Sequence, residues 1–380
     1  MRPTLSAEVY TMIFNSRRSL ALASSTLALS LFVLNSAPAT LAAPQSGTPQ
    51  VGPNFQYGGA AFDEVAQTSY KTVGLSGTFN DWITAAYQKT GVTLGDAASG
   101  TLTGDLDARA AAIRAASGAA RVKLERDTAA WAHRFVKKSI PKFSLERGFE
   151  LANVVKTGER QCLAQSFIIS GLLQRAGMQA GAVMVWANPQ GQQSNLGHVV
   201  SVVRLSGVNG GSGNDLLVDA SDPTPFVHHQ GLLVRSGGRY AFVKPTYEAD
   251  DTISGYTVAG SGSRLSVKAT GPLTLSYLHS QFDYYRGERA TGGFMGTGVG
   301  KATPAGLKQS ALYLNRAIAE DPQNALASFV LGHVLARQGQ TGQAMAQYQK
   351  ANALYLTQGH VPAGVATAIT ALGKAAGGKS

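Results

Sequence analysis

The sequence predicts an α+β core in which a helix opened by Cys162 packs on antiparallel strands, with a separate helical segment at the C-terminal end. Three observations predict it. The apolar run Cys162 to Leu173 closes near Gly177, as a buried helix does. Three β-type runs follow, at Ala182–Trp186, His198–Val203 and Leu216–Val218, separated by Gly- and Asn-rich turns. From residue 305 to 375 the apolar spacing returns to the helical period.

Taken in order, residues 1–43 read as a signal peptide. Arg17 and Arg18 supply positive charge and Leu20 to Leu34 form the apolar stretch. Ala37-Pro38-Ala39 or Thr40-Leu41-Ala42-Ala43 offer small residues for cleavage. That stretch is shorter than the roughly 20 residues that span a bilayer. No second segment is long and apolar enough to anchor the mature chain. The expected location is therefore secreted, periplasmic or cell-envelope. Residues 44–67, rich in Pro, Gly, Gln and Ser, read as a flexible linker. Residues 68–145 read as a helical extension, with Leu106, Ala110, Ile113, Val122, Leu124, Ala130 and Phe135 at helical spacing and a break at Gly118. The core is expected over 146–250, a Gly/Ser-rich connection over 251–303, and helices over 304–380.

The formal charge is +11, and loss of residues 1–43 removes Arg2, Arg17, Arg18 and Glu8, leaving about +9. Such a balance suits anionic envelope surfaces or acidic polymers. The basic residues are dispersed, not gathered in a stripe or a known motif, so no nucleic-acid partner is expected.

The chain has one cysteine in 380 residues. Exported proteins usually pair their cysteines, and Cys162 has no internal partner. It is either an inert packed thiol or a reactive one. At the first turn of a helix the dipole and the unpaired N–H groups favour the thiolate, which is the nucleophile. A nucleophile needs a base, and the base needs a group that fixes its tautomer. His198 opens the second β-type run and Asp219 closes the third. A hairpin across the Gly-rich loop 206–214 brings them together. The same hairpin offers Asp222 as a second candidate. Asp219 is favoured because it ends an apolar strand, whereas Asp222 precedes Pro223 in a turn. His228-His229 invite a metal reading with Asp219 or Asp222. Adjacent strand histidines point to opposite faces, so neither metal nor cofactor is expected. The run Gly210-Gly211-Ser212-Gly213 lacks the Lys-Ser/Thr and the helix of a phosphate loop.

The order Cys, His, Asp on helix, strand and strand resembles the transglutaminase-like superfamily of papain-like thiol enzymes. The likeness rests on Gly158-Glu159-Arg160-Gln161-Cys162, Leu172-Leu173-Gln174-Arg175-Ala176-Gly177, Gly197-His198-Val199-Val200 and Leu217-Val218-Asp219-Ala220-Ser221-Asp222-Pro223. It covers residues 145–225. The aromatic residue that often follows the histidine in that family is replaced here by Val199 and Val200. The resemblance implies a papain-like core and a Cys162–His198–Asp219 triad for acyl transfer on peptide or protein amides, as protease, amidase or transglutaminase; export and the basic charge, not the resemblance, make an envelope-associated amide one candidate substrate. The backbone N–H of Cys162 would serve the oxyanion.

Residues 325–358 fit one tetratricopeptide-type repeat. Leu331-Gly332, Leu335, Gly339, Ala344, Tyr348 and Ala351 match its packing positions, and Ala317 to Ala351 spans its 34-residue period. One such unit cannot bury its own face, so it is expected to pack on the core or on a protein partner. The alternative to an enzyme is a non-catalytic interaction protein with a degenerate core, binding through these helices.

Overall fold

In the computed structural model, described for residues 52–95, 99–210, 212–295 and 301–377, an antiparallel sheet closes on itself. The segment read as a signal peptide, 1–43, and the first part of the linker lie outside the described residues. Four helices come first: α1 (Ala60–Val73), α2 (Phe79–Thr90), α3 (Leu102–Ala115) and α4 (Gly118–Ser139). A short parallel pair, β1 (Lys142–Phe143) with β2 (Glu159–Arg160), flanks α5 (Leu151–Thr157). Then come α6 (Cys162–Arg175), β3 (Gln179–Ala187), β4 (Gln193–Ser206), β5 (Ser212–Val218), β6 (Gly231–Ser236), β7 (Arg239–Tyr247), β8 (Ile253–Val258) and β9 (Arg264–Ser266). The remainder is helical: α7 (Leu275–Glu288), α8 (Pro304–Glu320), α9 (Ala325–Arg337), α10 (Thr341–Gln358) and α11 (Ala363–Gly377). Among the described residues no helix is long and apolar enough to cross a membrane.

The strand order is β5-β4-β3-β6-β7-β8-β9, and β5 also pairs with β8, Asp215 opposite Ile253. Six strands thus form a closed antiparallel barrel, with β9 added at the side of β8. This overturns the expected papain-like transglutaminase core, in which the Cys162 helix lies on an open sheet. Closure required strands from 231–258, beyond the three β-type runs read from the sequence. The overlooked signal is Gly237-Gly238, at φ 56° and 80°, joining Ser236 to its partner Arg239. A two-residue loop with positive φ at both positions is the turn that twists with its strands, and glycine enters it without strain.

Alternation explains the continuous apolar runs. Val183, Val185, Val200, Val202, Leu217 and Val243 fill the barrel interior. Their neighbours Ala182, Met184, Val199 and Val203 face outward into a second core shared with the helices. Both faces are buried, so the runs show no polar face. Helix α6 packs outside β3 and β4 and is buried from Cys162 to Leu173. Its small hydroxyls tie it to the strands: Ser166 Oγ donates to Val199 O at 2.9 Å, and Ser170 Oγ to Gly181 O at 2.8 Å.

Two expected connections are instead structured. Within 44–67, Phe55 and Tyr57 are buried and α1 begins at Ala60. Phe55 stacks on Phe167 of α6, ring centroids 4.8 Å apart. Within 251–303 lie β8, β9 and α7. Helices α8 to α11 pack each on the next. At Gly332 a Cβ would meet Tyr348 Cδ1 at 2.5 Å, so glycine is what allows α9 and α10 to approach. This helical layer rests on the same chain's barrel: His360 stacks on Trp186 at 4.2 Å, and Tyr355 meets Phe242 at 6.1 Å.

Candidate active site

Cys162 is the first residue of α6. Gly158 ends α5 in the left-handed conformation, and Gln161 is extended (φ −140°), so the chain turns directly into the new helix. The Cys162 side chain is 4% exposed. The Tyr285 hydroxyl oxygen lies 3.6 Å from its sulfur, at hydrogen-bond distance, and the His198 ring and the Val199 backbone N–H also act on the sulfur electrostatically. The Cys162 N–H has no carbonyl to bond within its own helix, as at every helix start.

His198 lies near the beginning of β4, opposite Val185. Its Nε2–H donates to Asp219 Oδ2 at 2.8 Å. With Nε2 so held, Nδ1 is the ring nitrogen left for the thiol. Asp219 follows β5 directly and is buried. Its Oδ1 accepts from Ser221 N at 2.8 Å and from Gln165 Nε2 at 3.2 Å, which turns Oδ2 toward the histidines. Gln165 is in turn fixed by Arg160, whose Nε donates to Gln165 Oε1 at 3.0 Å and whose Nη2 donates to Ala220 O at 3.1 Å.

The electrostatics follow from these contacts. Burial alone would push the thiol up, but the His198 ring, the Val199 N–H and Tyr285 together bring it below the ordinary cysteine value. Burial also opposes a charged His198, yet the Asp219 carboxylate and the Cys162 sulfur hold the ring well above its usual value. Burial works against the Asp219 carboxylate too, and the His198 and His229 rings more than offset it, leaving Asp219 well below the usual carboxylate range. The arrangement favours a thiolate–imidazolium pair anchored by a carboxylate. The His198 side chain, 14% exposed, is the more open member of the His198–Asp219 pair.

The three residues singled out in the sequence are therefore in one place. Asp222 is elsewhere in role: its Oδ1 accepts from Thr224 N at 3.1 Å and Thr224 Oγ1 at 3.0 Å, and its carbonyl accepts from His133 and Lys137. It is a turn residue. The neighbouring histidines lie in the connection between β5 and β6, not in a strand as the sequence suggested, and their side chains diverge. His228 bonds Asp251 at 3.0 Å and stacks on Tyr247, while His229 turns inward and donates from Nε2 to Asp219 Oδ2 at 3.2 Å. Burial holds His229 below the usual histidine value.

Sequence reasoning missed four contributors. Gln165 carried a usable signal, since it stands three residues after Cys162 on the same helix face. Arg160 lay inside a quoted motif but had no assigned task. His229 was weighed only beside His228. Tyr285, in a segment read as a connection, carried no local signal. The set His198, Asp219 and His229 places one ligand atom of each within 4.8 Å of the others, and these are the residues that could hold a metal ion.

Fold and site together define a helix-wrapped six-strand barrel carrying a buried Cys-His-Asp constellation at a helix start. No family model and no curated protein matches the chain. Among solved structures, that of menin, described as revealing the binding site for the Mixed Lineage Leukemia (MLL) protein, is similar at 11% identity. The match covers 81% of this chain and 71% of that one, with a TM-score of 0.25.

Proposed function

We propose that the chain is an exported, cysteine-dependent acyl-transfer enzyme acting on amide bonds, with Cys162 as nucleophile, His198 as proton carrier and Asp219 as the group that orients His198. The observation that supports this reading most is the His198 ring, held through Nε2 by Asp219 Oδ2 at 2.8 Å and acting on the buried Cys162 sulfur at the start of α6. The likeness of the motif segments to transglutaminase-like enzymes agrees with it at the level of residues, not of fold.

In this reading the Cys162 thiolate attacks the amide carbonyl carbon. The oxyanion accepts from the Cys162 backbone N–H, with the Tyr285 hydroxyl as the second donor we assign. Imidazolium His198 gives its proton to the departing amine as the C–N bond breaks, leaving a thioester. The neutral ring then takes a proton from water or from an acceptor amine, which attacks the thioester and restores the thiolate. Asp219 holds the ring through Nε2 in both halves.

The test is alkylation by iodoacetamide at neutral pH, where an ordinary cysteine is mostly protonated. Cys162 in the native chain is expected to label fast, and to label slowly in His198→Ala. A native thiol that resists alkylation and reacts only after unfolding would overturn the reading in favour of a non-catalytic scaffold.

A further inference from the structure

We propose that His198, Asp219 and His229 form a binding site for a divalent transition ion of the zinc type, occupied in competition with thiol chemistry. The relay from Cys162 needs only one histidine, and it leaves His229 unexplained. That side chain is buried, and it aims Nε2 at the same Asp219 oxygen that His198 holds. Two imidazole nitrogens and one carboxylate oxygen therefore converge on one point.

The distances fit an ion. Zinc binds nitrogen and oxygen at about 2.0–2.2 Å, which sets tetrahedral ligand atoms about 3.3 Å apart. Here the two N···O separations are 2.8 and 3.2 Å, and the three atoms all lie within 4.8 Å. A small opening of the first edge seats the ion among three atoms that all lie within 4.8 Å of one another, with a fourth position for water. Nitrogen and oxygen ligands select a borderline ion of this kind over calcium or magnesium. The outer shell is also in place: Gln165 and Ser221 hold Asp219 Oδ1, which keeps Oδ2 facing inward. An ion here takes the Nε2 lone pair of His198. The proton on that nitrogen leaves or moves to Nδ1, so the ring can no longer accept one there. Occupancy would silence the thiol. Binding itself does not depend on the acyl-transfer reading.

The experiment uses the metal-stripped full chain, with zinc titrated against a chromophoric chelator and cobalt(II) as the spectroscopic probe. One ion per chain is expected in the wild type and in Cys162→Ser, which has no thiol chemistry to lose. At least about a 100-fold weaker affinity is expected in His229→Ala. His229→Gln is measured beside it, with melting curves of both, to separate a lost ligand from a lost fold. X-ray absorption on the zinc-loaded wild type reads the ligands directly, and nitrogen and oxygen alone are expected. Absence of stoichiometric binding, unchanged affinity in folded His229 variants, or a sulfur ligand at about 2.3 Å would each overturn the site.

Discussion

Gln165 donates from Nε2 to Asp219 Oδ1 at 3.2 Å, and it stands one turn after Cys162 on the same helix. The helix that presents the nucleophile thus also fixes the carboxylate that orients His198. Nucleophile and orienter are 57 residues apart in the chain, and Gln165 couples their positions.

Gln165→Ala is expected to slow alkylation of Cys162 and to lower the melting temperature. It strips a partner from a buried charged oxygen, a loss of about 1–3 kcal/mol. Gln165→Glu is expected to be worse than Ala in both respects, because it sets a second carboxyl beside Asp219. Alkylation rates and thermal melts of the three proteins check this. Equal behaviour of Ala and Glu would remove Gln165 from the site.

Tyr285→Phe tests the donor that the sequence did not reveal. The ring stays, stacked on Phe149 at 5.6 Å and under Arg289 at 4.3 Å, while the hydroxyl 3.6 Å from the sulfur goes. A hydrogen bond to a charged group contributes about 1.5–3 kcal/mol, and this one is long. The expected result is about a tenfold drop in amidase or transferase turnover with an unchanged melting temperature. A large stability loss with full turnover would make Tyr285 a packing residue.

Asp219→Asn is expected to cut turnover by about 10⁴, because asparagine can hold the wrong imidazole tautomer. Asp222→Asn is expected to leave turnover near wild type, since the amide oxygen still accepts from Thr224. Turnover of the two variants on any amide substrate decides the ranking, and the reverse order would move the orienter to Asp222.

What the sequence carried, and what it did not, has a common physical reason. Cys162, His198 and Asp219 were readable because Cys162 opens a strongly patterned helix, His198 opens the apolar run of β4, and Asp219 directly follows the apolar run of β5. The α6 helix and β3 to β5 were readable for the same reason. Barrel closure was not, because it depends on β5 meeting β8, a pairing between segments whose own patterns say nothing of each other. Phe55 and Tyr57 lie in Pro- and Gly-rich text, and only the α6 face they cover makes them core. Tyr285 lies 123 residues from the sulfur it meets, and no periodicity encodes such a distance.

His333 gives the fold a dependence on pH. Burial, and secondarily the Arg337 charge, lower it to about 4, and its Nδ1 accepts from Tyr348 at 2.8 Å. The folded chain therefore disfavours the protonated ring, while the unfolded chain protonates near the ordinary value of about 6.5. The stability held above that value is lost as pH falls from about 6.5 toward 4. Melting temperatures taken across that window should fall less steeply in His333→Gln, which keeps an acceptor for Tyr348 and does not titrate. Parallel curves would show that the ring is not the source.

Truncation after residue 303 tests what the helical layer covers. His360 stacks on Trp186, and Tyr355 lies on Phe242, so removing α8 to α11 bares an aromatic face of the barrel. Leu331, Leu335 and Tyr348 are buried and belong to the core cluster that the layer shares with the rest of the chain. Burial of each large apolar side chain is worth about 1.5–3 kcal/mol, and a domain is stable by only about 5–15 kcal/mol. Loss of a few such contacts consumes much of that margin. Residues 44–303 are therefore expected to melt lower than residues 44–380 and to scatter light as they associate through the bared face. A truncated chain that stays monomeric at an unchanged melting temperature would mean that the layer contributes nothing to the barrel's stability. Its surface would then be free to serve a partner.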